Sequence, residues 1–275
     1  RVSKVLNNNG VIAIDMDENK EYVILGKGVG FGKKVSQRFD KPEGCTTYRL
    51  EQETERGSAK ELVKGIEPEY LEIADAILTE SQKVFGDSID RGILFPLADH
   101  ISFAVARIRR NEQISNPLTE DIKVLFYSEF KVAETLKTIL RERLQIEIDD
   151  HEVGYVALHI HSAIGDEKVS VAMQTARAVR ECIDMIEKAT GKPIDVLSLS
   201  YNRLMNHMKY MVARASTGEK LNLDMNEYML DQYPQAYKVA TDICKNLEGC
   251  IGHKLDETET GYLAMHIQRV YKDAV

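Results

Sequence analysis

The chain has 275 residues, 43% hydrophobic and 29% charged, with a net charge of -8; it is too long for one ordinary core and too apolar for a disordered or collagen-like polymer, so two or three packed domains are expected. No apolar run has the length of a membrane span, and the N-terminus leads into Asn7-Asn8-Asn9 rather than an apolar signal region, so no membrane insertion and a cytoplasmic location are expected. Cys45, Cys182, Cys244 and Cys250 form no C-x-x-C pair and read as reduced thiols.

The charge is unevenly spread. Residues 1–38 carry seven Lys and Arg against four Asp and Glu, a net of +3, which leaves -11 for the rest. Either anion binding is confined to this basic head or a short window has fluctuated. Val5-Leu6, the run Asn7-Asn8-Asn9-Gly10 and then Val11 to Ile14 predict a tight hairpin, its turn made of residue types that tolerate positive φ. After a polar turn at Asp15 to Lys20, Tyr22 to Leu25 and Thr46 to Leu50 add two more strands, giving a four-stranded sheet. A domain of about 50 residues buries little surface, so the sheet is expected to cover one face with a second copy, making a homodimer.

Gly26-Lys27-Gly28-Val29-Gly30-Phe31-Gly32-Lys33-Lys34 matches neither the dinucleotide fingerprint nor a phosphate-binding P-loop. Glycines permit close backbone approach, Phe31 offers a face for an unpaired base, and Lys27, Lys33 and Lys34 suit phosphates. The bland alternative has Phe31 plugging the sheet and the lysines solvating a turn.

From about Ser58 the apolar period becomes helical, with helices predicted over Glu69 to Phe85, Leu94 to Arg110, Phe130 to Arg143 and Gln174 to Ala189. Breaks fall at Asn116-Pro117, Gly165-Asp166-Glu167, Gly191-Lys192-Pro193 and Ser216-Thr217-Gly218. Two segments recur 107 residues on: Leu97 to Arg107 aligns with Leu204 to Arg214, and Glu152 to Ile160 with Glu259 to Ile267. His100 and His159 thereby match His207 and His266. The fold class expected is multidomain, a small all-β head (residues 1–56) followed by two homologous all-α bundles (57–167 and 168–275), with a linker near Glu53 to Gly57 and a boundary near Gly165 to Val169.

His100 lies on the shoulder of a core stripe of Leu97, Ile101, Val105 and Ile108, so burial is not obligatory. Arg107 follows two turns along the same face, as Arg214 follows His207, and either cation could meet a phosphoryl group. Glu152, Tyr155 and His159 share a helical face, as do Glu259, Tyr262 and His266. Packing alone rarely asks for imidazole twice, although four structural histidines remain an alternative. No carboxylate or histidine stands at metal-completing spacing, and Cys244, Cys250 and His253 form no zinc pattern, so neither metal nor cofactor is expected. Phosphoryl acceptance needs one exposed neutral ring and a neighbourhood that responds to added negative charge.

Together, Lys4-Val5-Leu6-Asn7-Asn8-Asn9, the Gly26 to Lys34 loop and the four histidines in register resemble the BglG/LicT family of transcriptional antiterminators over essentially the whole chain. The resemblance implies a dimeric co-antiterminator RNA-binding domain that grips a hairpin in nascent leader mRNA and prevents an overlapping terminator from forming. Two phosphotransferase-system (PTS) regulation domains would follow it. It places RNA contacts on Lys4, Asn9, Gly26, Lys27 and Phe31, with Asn7, Asn8, Gly28, Lys33 and Lys34 nearby. His100 and His159 would be inhibitory sites phosphorylated by a sugar-specific PTS permease (EIIB), and His207 and His266 would answer to the phosphocarrier protein HPr. Relative to that family Gly10 reads as an insertion. Gly30-Phe31-Gly32 is closer to the glucose-type members than to the β-glucoside members, where glutamine is expected at Gly32, so the sugar is left open. Competing readings are a histidine phosphocarrier enzyme, a phosphorylation-sensing helical module without RNA binding, and a purely structural helical repeat.

Overall fold

A computed structural model describes residues 1–50, 53–54, 57–165, 168–195 and 198–273. Part of the expected head-to-body linker (residues 55–56) and the expected turn at Asp166-Glu167 lie outside the described residues. The chain divides into two compact units, Arg1–Asn116 with Ser128–Val169, and Pro117–Tyr127 with Ser170–Val275.

The first unit opens with strands β1 (Val2–Asn7), β2 (Gly10–Ile14), β3 (Glu21–Leu25) and β4 (Thr46–Arg49), antiparallel and in that order across one sheet. Alternation puts Val11, Ala13 and Ile24 into a small core with Val29 of the glycine loop, flanked by Val5, Tyr22, Phe39 and Cys45. The asparagine turn holds differently from the expectation, because neither Asn8 nor Asn9 takes a positive φ. Asn7 Oδ1 instead accepts from Asn9 N at 2.9 Å, a side-chain-closed turn, and a register shift between Val5 and Asn7 supplies the twist. Gly10 is the first residue of β2, paired with Asn7 and Leu25. The region read as a linker carries a short hairpin, β5 (Glu53–Thr54) with β6 (Gly57–Ser58), which runs directly into α1 (Ala59–Gly65).

Helix α2 (Pro68–Phe85) starts on a proline whose missing N–H costs nothing there. Helix α3 (Leu94–Arg109) buries Leu97, Ile101 and Val105 as the stripe predicts, while Ile108 is half-buried. After α4 (Thr119–Leu125), which belongs to the second unit, the expected single helix from Phe130 is two: α5 (Tyr127–Ala133) and α6 (Thr135–Leu144). The Thr135 hydroxyl donates to Val132 O at 2.6 Å at the break, the side-chain competition for backbone carbonyls that interrupts helices. Helix α7 (Asp150–Gly165) completes the unit, with α2 packed on both α3 and α7.

The head does not wait for a second copy to cover all of its sheet. Tyr48 of β4 is buried, its ring edge-on to Phe95 at 6.4 Å, and its hydroxyl donates to Asp75 of α2. Arg91 joins them, 2.8 Å from Tyr48 Oη and 2.9 Å from Asp75 Oδ1. The opposite face of the sheet lines an open groove of about 980 Å³ with Ala13, Tyr22, Ile24, Phe39 and Thr47.

In the second unit, α8 (Val169–Thr190) begins before the expected Gln174, then come α9 (Leu199–Thr217), α10 (Asn226–Gln232), α11 (Pro234–Ile251) and α12 (Thr258–Asp273). Ser198 caps α9 by accepting from Tyr201 N, and Gly218 ends it in the left-handed region, φ 74°. Helix α12 packs on α9, α10 and α11. The fold is thus a four-stranded antiparallel sheet followed by a mainly helical body. Among the described residues no helix is long and apolar enough to cross a membrane.

Candidate functional site

The head brings the asparagine turn and the glycine loop together by backbone contacts. Asn9 O accepts from Gly26 N at 2.9 Å, Asn8 O from Gly30 N at 2.9 Å, and Asn9 Oδ1 from Gly28 N at 3.0 Å. Gly30 permits this approach, since a Cβ there would be driven into the Asn7 carbonyl. Gly28 takes φ 74°, which suits glycine. The loop therefore projects Phe31 outward, 73% exposed rather than plugging the sheet, and Lys4, Lys27 and Lys34 are exposed as well. Lys33 is turned aside, its Nζ 5.1 Å from the centre of the Phe39 ring. Asn7 and Asn9 donate their side-chain amides to Glu72 of α2, a residue that sequence reasoning did not single out.

The helical repeats each assemble a second kind of site. In the first unit, α3 and α7 bring the rings of His100 and His159 to 5.4 Å, with Tyr155 5.7 Å from His100. Arg107 Nη2 donates to Glu152 Oε1 at 2.8 Å, and Glu152 Oε2 lies 3.4 Å from His100 Nε2. Neither of those last two atoms has another hydrogen-bond partner among the described residues. Burial would raise Glu152, yet hydrogen bonds and charge from His100 and Arg107 hold its carboxyl below the usual range.

In the second unit α9 and α12 repeat the arrangement. His207 and His266 stack at 4.8 Å, Tyr262 lies 5.0 Å from His207, and Arg214 forks onto Glu259 with bonds of 2.6 and 2.9 Å. Glu259 Oε2 is 3.7 Å from His207 Nε2. Gly261 sets this geometry, because a Cβ would strike the backbone of Met225 and Asn226. Burial, then the neighbouring His266 and Arg214, pushes His207 down to about 3; burial, then Arg269 and Arg203, pushes His266 down to about 4. Both imidazoles are neutral near pH 7, the form in which a ring nitrogen can be a nucleophile.

One expectation is corrected here. All four histidines are buried, 6–8% exposed: His100 packs against His159 and Tyr155, and His207 and His266 pack against each other and against Tyr262, rather than standing on a helix shoulder. Arg107 and Arg214, either of which could meet a phosphoryl group, are paired to buried glutamates. That pairing had a sequence signal: Glu152 and Glu259 recur in the same frame as Arg107 and Arg214. Glu72 has no such counterpart signal.

Comparison with known proteins matches residues 1–57 to the CAT RNA-binding domain, and residues 75–163 and 180–270 to the PRD domain. The chain is 30% identical over 272 residues to the GlcA/glcB genes antiterminator of Staphylococcus carnosus, covering 97% of this chain and 94% of that protein. It is 27% identical over 278 residues to the transcription antiterminator LicT of Bacillus subtilis, covering the whole of both. Among solved structures, GlcT CAT-PRDI is similar at a TM-score of 0.52 and 29% identity, over 60% of this chain and 97% of that one.

Proposed function

Because the chain belongs to the transcriptional antiterminators built from a CAT RNA-binding domain and two PRD domains, we propose that its head grips a hairpin in nascent leader mRNA and prevents a terminator from forming. The family consists of RNA-binding regulators under PTS control rather than enzymes. The observation that carries the proposal is the loop geometry: Asn8 and Asn9 hold the glycine loop so that Phe31 projects into solvent, and Lys4, Lys27 and Lys34 of the same head are exposed too. An exposed aromatic on a basic rim suits an unpaired base and its flanking phosphates. In this reading Asn7, Asn8, Asn9, Gly26 and Gly28 form the floor and Lys33 supports Phe39.

The domains would be residues 1–56, 57–167 and 168–275, and the active form a cytoplasmic homodimer, with the open sheet groove as the surface left for a second copy. His100 and His159 would take phosphate from a sugar-specific permease, and His207 and His266 from HPr. The neutral rings of His207 and His266 and the arginine in each repeat support phosphoryl acceptance; the burial of all four histidines means that acceptance requires α3 to part from α7, or α9 from α12. A polarisation titration of the full chain against imperfect RNA hairpins tests the proposal, with duplex DNA as control and at two salt concentrations. Selective binding that weakens steeply with salt is the expected result; equal affinity for hairpin and duplex DNA would remove the antiterminator reading.

A further inference from the structure

Helix α2 reaches the asparagine turn through one side chain. Glu72 Oε1 accepts from Asn7 Nδ2 at 2.7 Å, and its Oε2 accepts from Asn9 Nδ2 at 3.2 Å. Arg143 of α6 stands 3.8 Å from the same Oε2. One N–H of the Asn9 amide is thereby committed, and its Oδ1 already accepts from Gly28 N at 3.0 Å. One turn further along α2, Asp75 binds Tyr48 and Arg91, so the two carboxylates hold the head at separate points.

Each asparagine amide carries two N–H groups, and the one that donates to the carboxylate cannot donate to a phosphate or base oxygen at the same time. The Glu72 carboxylate presents two anionic acceptor oxygens, as a phosphate does, and bonds to a charged acceptor are stronger than neutral ones. Its charge would also face any phosphate brought to that edge of the loop.

Resting on the RNA-binding reading above, we propose that Glu72 is an intramolecular competitor for RNA: it occupies the Asn7 and Asn9 amides as a phosphate mimic, and hairpin binding requires its release. The same helix packs on α3 and α7, which carry His100 and His159. A change that parts those helices would therefore move the competitor, which gives the histidine pair a physical route to the head.

The test is hairpin affinity of the full chain by polarisation, comparing wild type with Glu72→Ala, Glu72→Gln and Glu69→Gln. Glu69 lies one turn earlier on α2, and its replacement removes the same charge without touching the asparagines. Glu72→Ala should bind about tenfold more tightly, the return expected when a competing state is removed. Glu72→Gln, which keeps one acceptor oxygen and the shape, should fall between it and wild type, and Glu69→Gln should stay near wild type. In an Asn7→Ala/Asn9→Ala background, weaker overall, Glu72→Ala should gain nothing. The proposal is overturned if wild type binds and Glu72→Ala and Glu72→Gln bind no better, or if Glu69→Gln gains as much as Glu72→Gln, which would make the effect general electrostatics. A folded wild type and folded variants that all ignore every hairpin would instead overturn the RNA-binding reading, and this inference with it.

Discussion

Arg214→Met separates the two ways of viewing the histidine sites. Arg214 makes two hydrogen bonds to Glu259, at 2.6 and 2.9 Å, and Glu259 is 1% exposed. Removing the cation leaves a carboxylate with no route to water, and breaking a buried ion pair from one side costs about 3–5 kcal/mol. The reverse change, Glu259→Gln, should cost less, about 1–2 kcal/mol, because the Arg214 side chain is 15% exposed and can turn outward. The double variant should be more stable than Arg214→Met alone, since it carries no orphaned charge. Hydrogen exchange of the α12 amides, followed by mass spectrometry at pH 7.5, reads the free energy of opening at this site. If Arg214→Met lowers α12 protection by less than about 1 kcal/mol, or if adding Glu259→Gln brings no recovery, the ion pair is not what holds the helices together.

Three further outcomes follow from the same geometry. Gly30→Ala should lower the melting temperature of the head and weaken hairpin binding, because over-packing of this kind costs about 1–3 kcal/mol and the added methyl meets the Asn7 carbonyl; unchanged melting would mean the loop can be repositioned freely. Phe31→Ala should leave stability within about 0.5 kcal/mol, the ring being 73% exposed, while hairpin affinity falls by about 1–3 kcal/mol; wild-type affinity would end the stacking role. The second unit should lose stability as pH falls below 6.5, where the unfolded histidines take protons that the folded ones, at about 3 for His207 and about 4 for His266, refuse. By pH 5 His207 accounts for about 2 kcal/mol, and His266 for nearly as much. Asp121, raised to about 6 chiefly by burial, works in the opposite sense and returns roughly 1 kcal/mol over that range. Protection of α9 and α12 measured at pH 7.5 and pH 5 checks this, and equal protection at both would contradict the buried neutral pair.

What could be read from the sequence is what repeats or alternates. The β-branched and aromatic runs after the asparagines are short and bounded by polar turns, so the sheet was legible, and the 107-residue offset tied His100 to His207 and His159 to His266. Periodicity also placed Leu97, Ile101 and Val105 in the core. It could not say how far a ring on the edge of that stripe would sink, because the answer depends on the helix that arrives 50 or more residues later with a tyrosine and a second histidine. The split between α5 and α6 turns on one hydroxyl at Thr135 reaching Val132, a choice that apolar spacing does not register. Glu72 was illegible for a related reason: on α2 it is one acidic residue among several, and only the folded chain sets it against Asn7 and Asn9.

The burial of the histidines bears directly on how a modification there is felt. A phosphoryl group adds roughly two negative charges, and on His207 it would sit beside a carboxylate 3.7 Å from the ring. That arrangement cannot persist at 6% exposure. Either Arg214 leaves Glu259 for the phosphoryl oxygens, which orphans the glutamate, or α9 and α12 separate until water reaches both anions. Each path would break the Arg214–Glu259 contact between the two helices, so a small covalent change would become a displacement of whole helices. An exposed histidine on a helix shoulder would accept phosphate more readily and would move nothing.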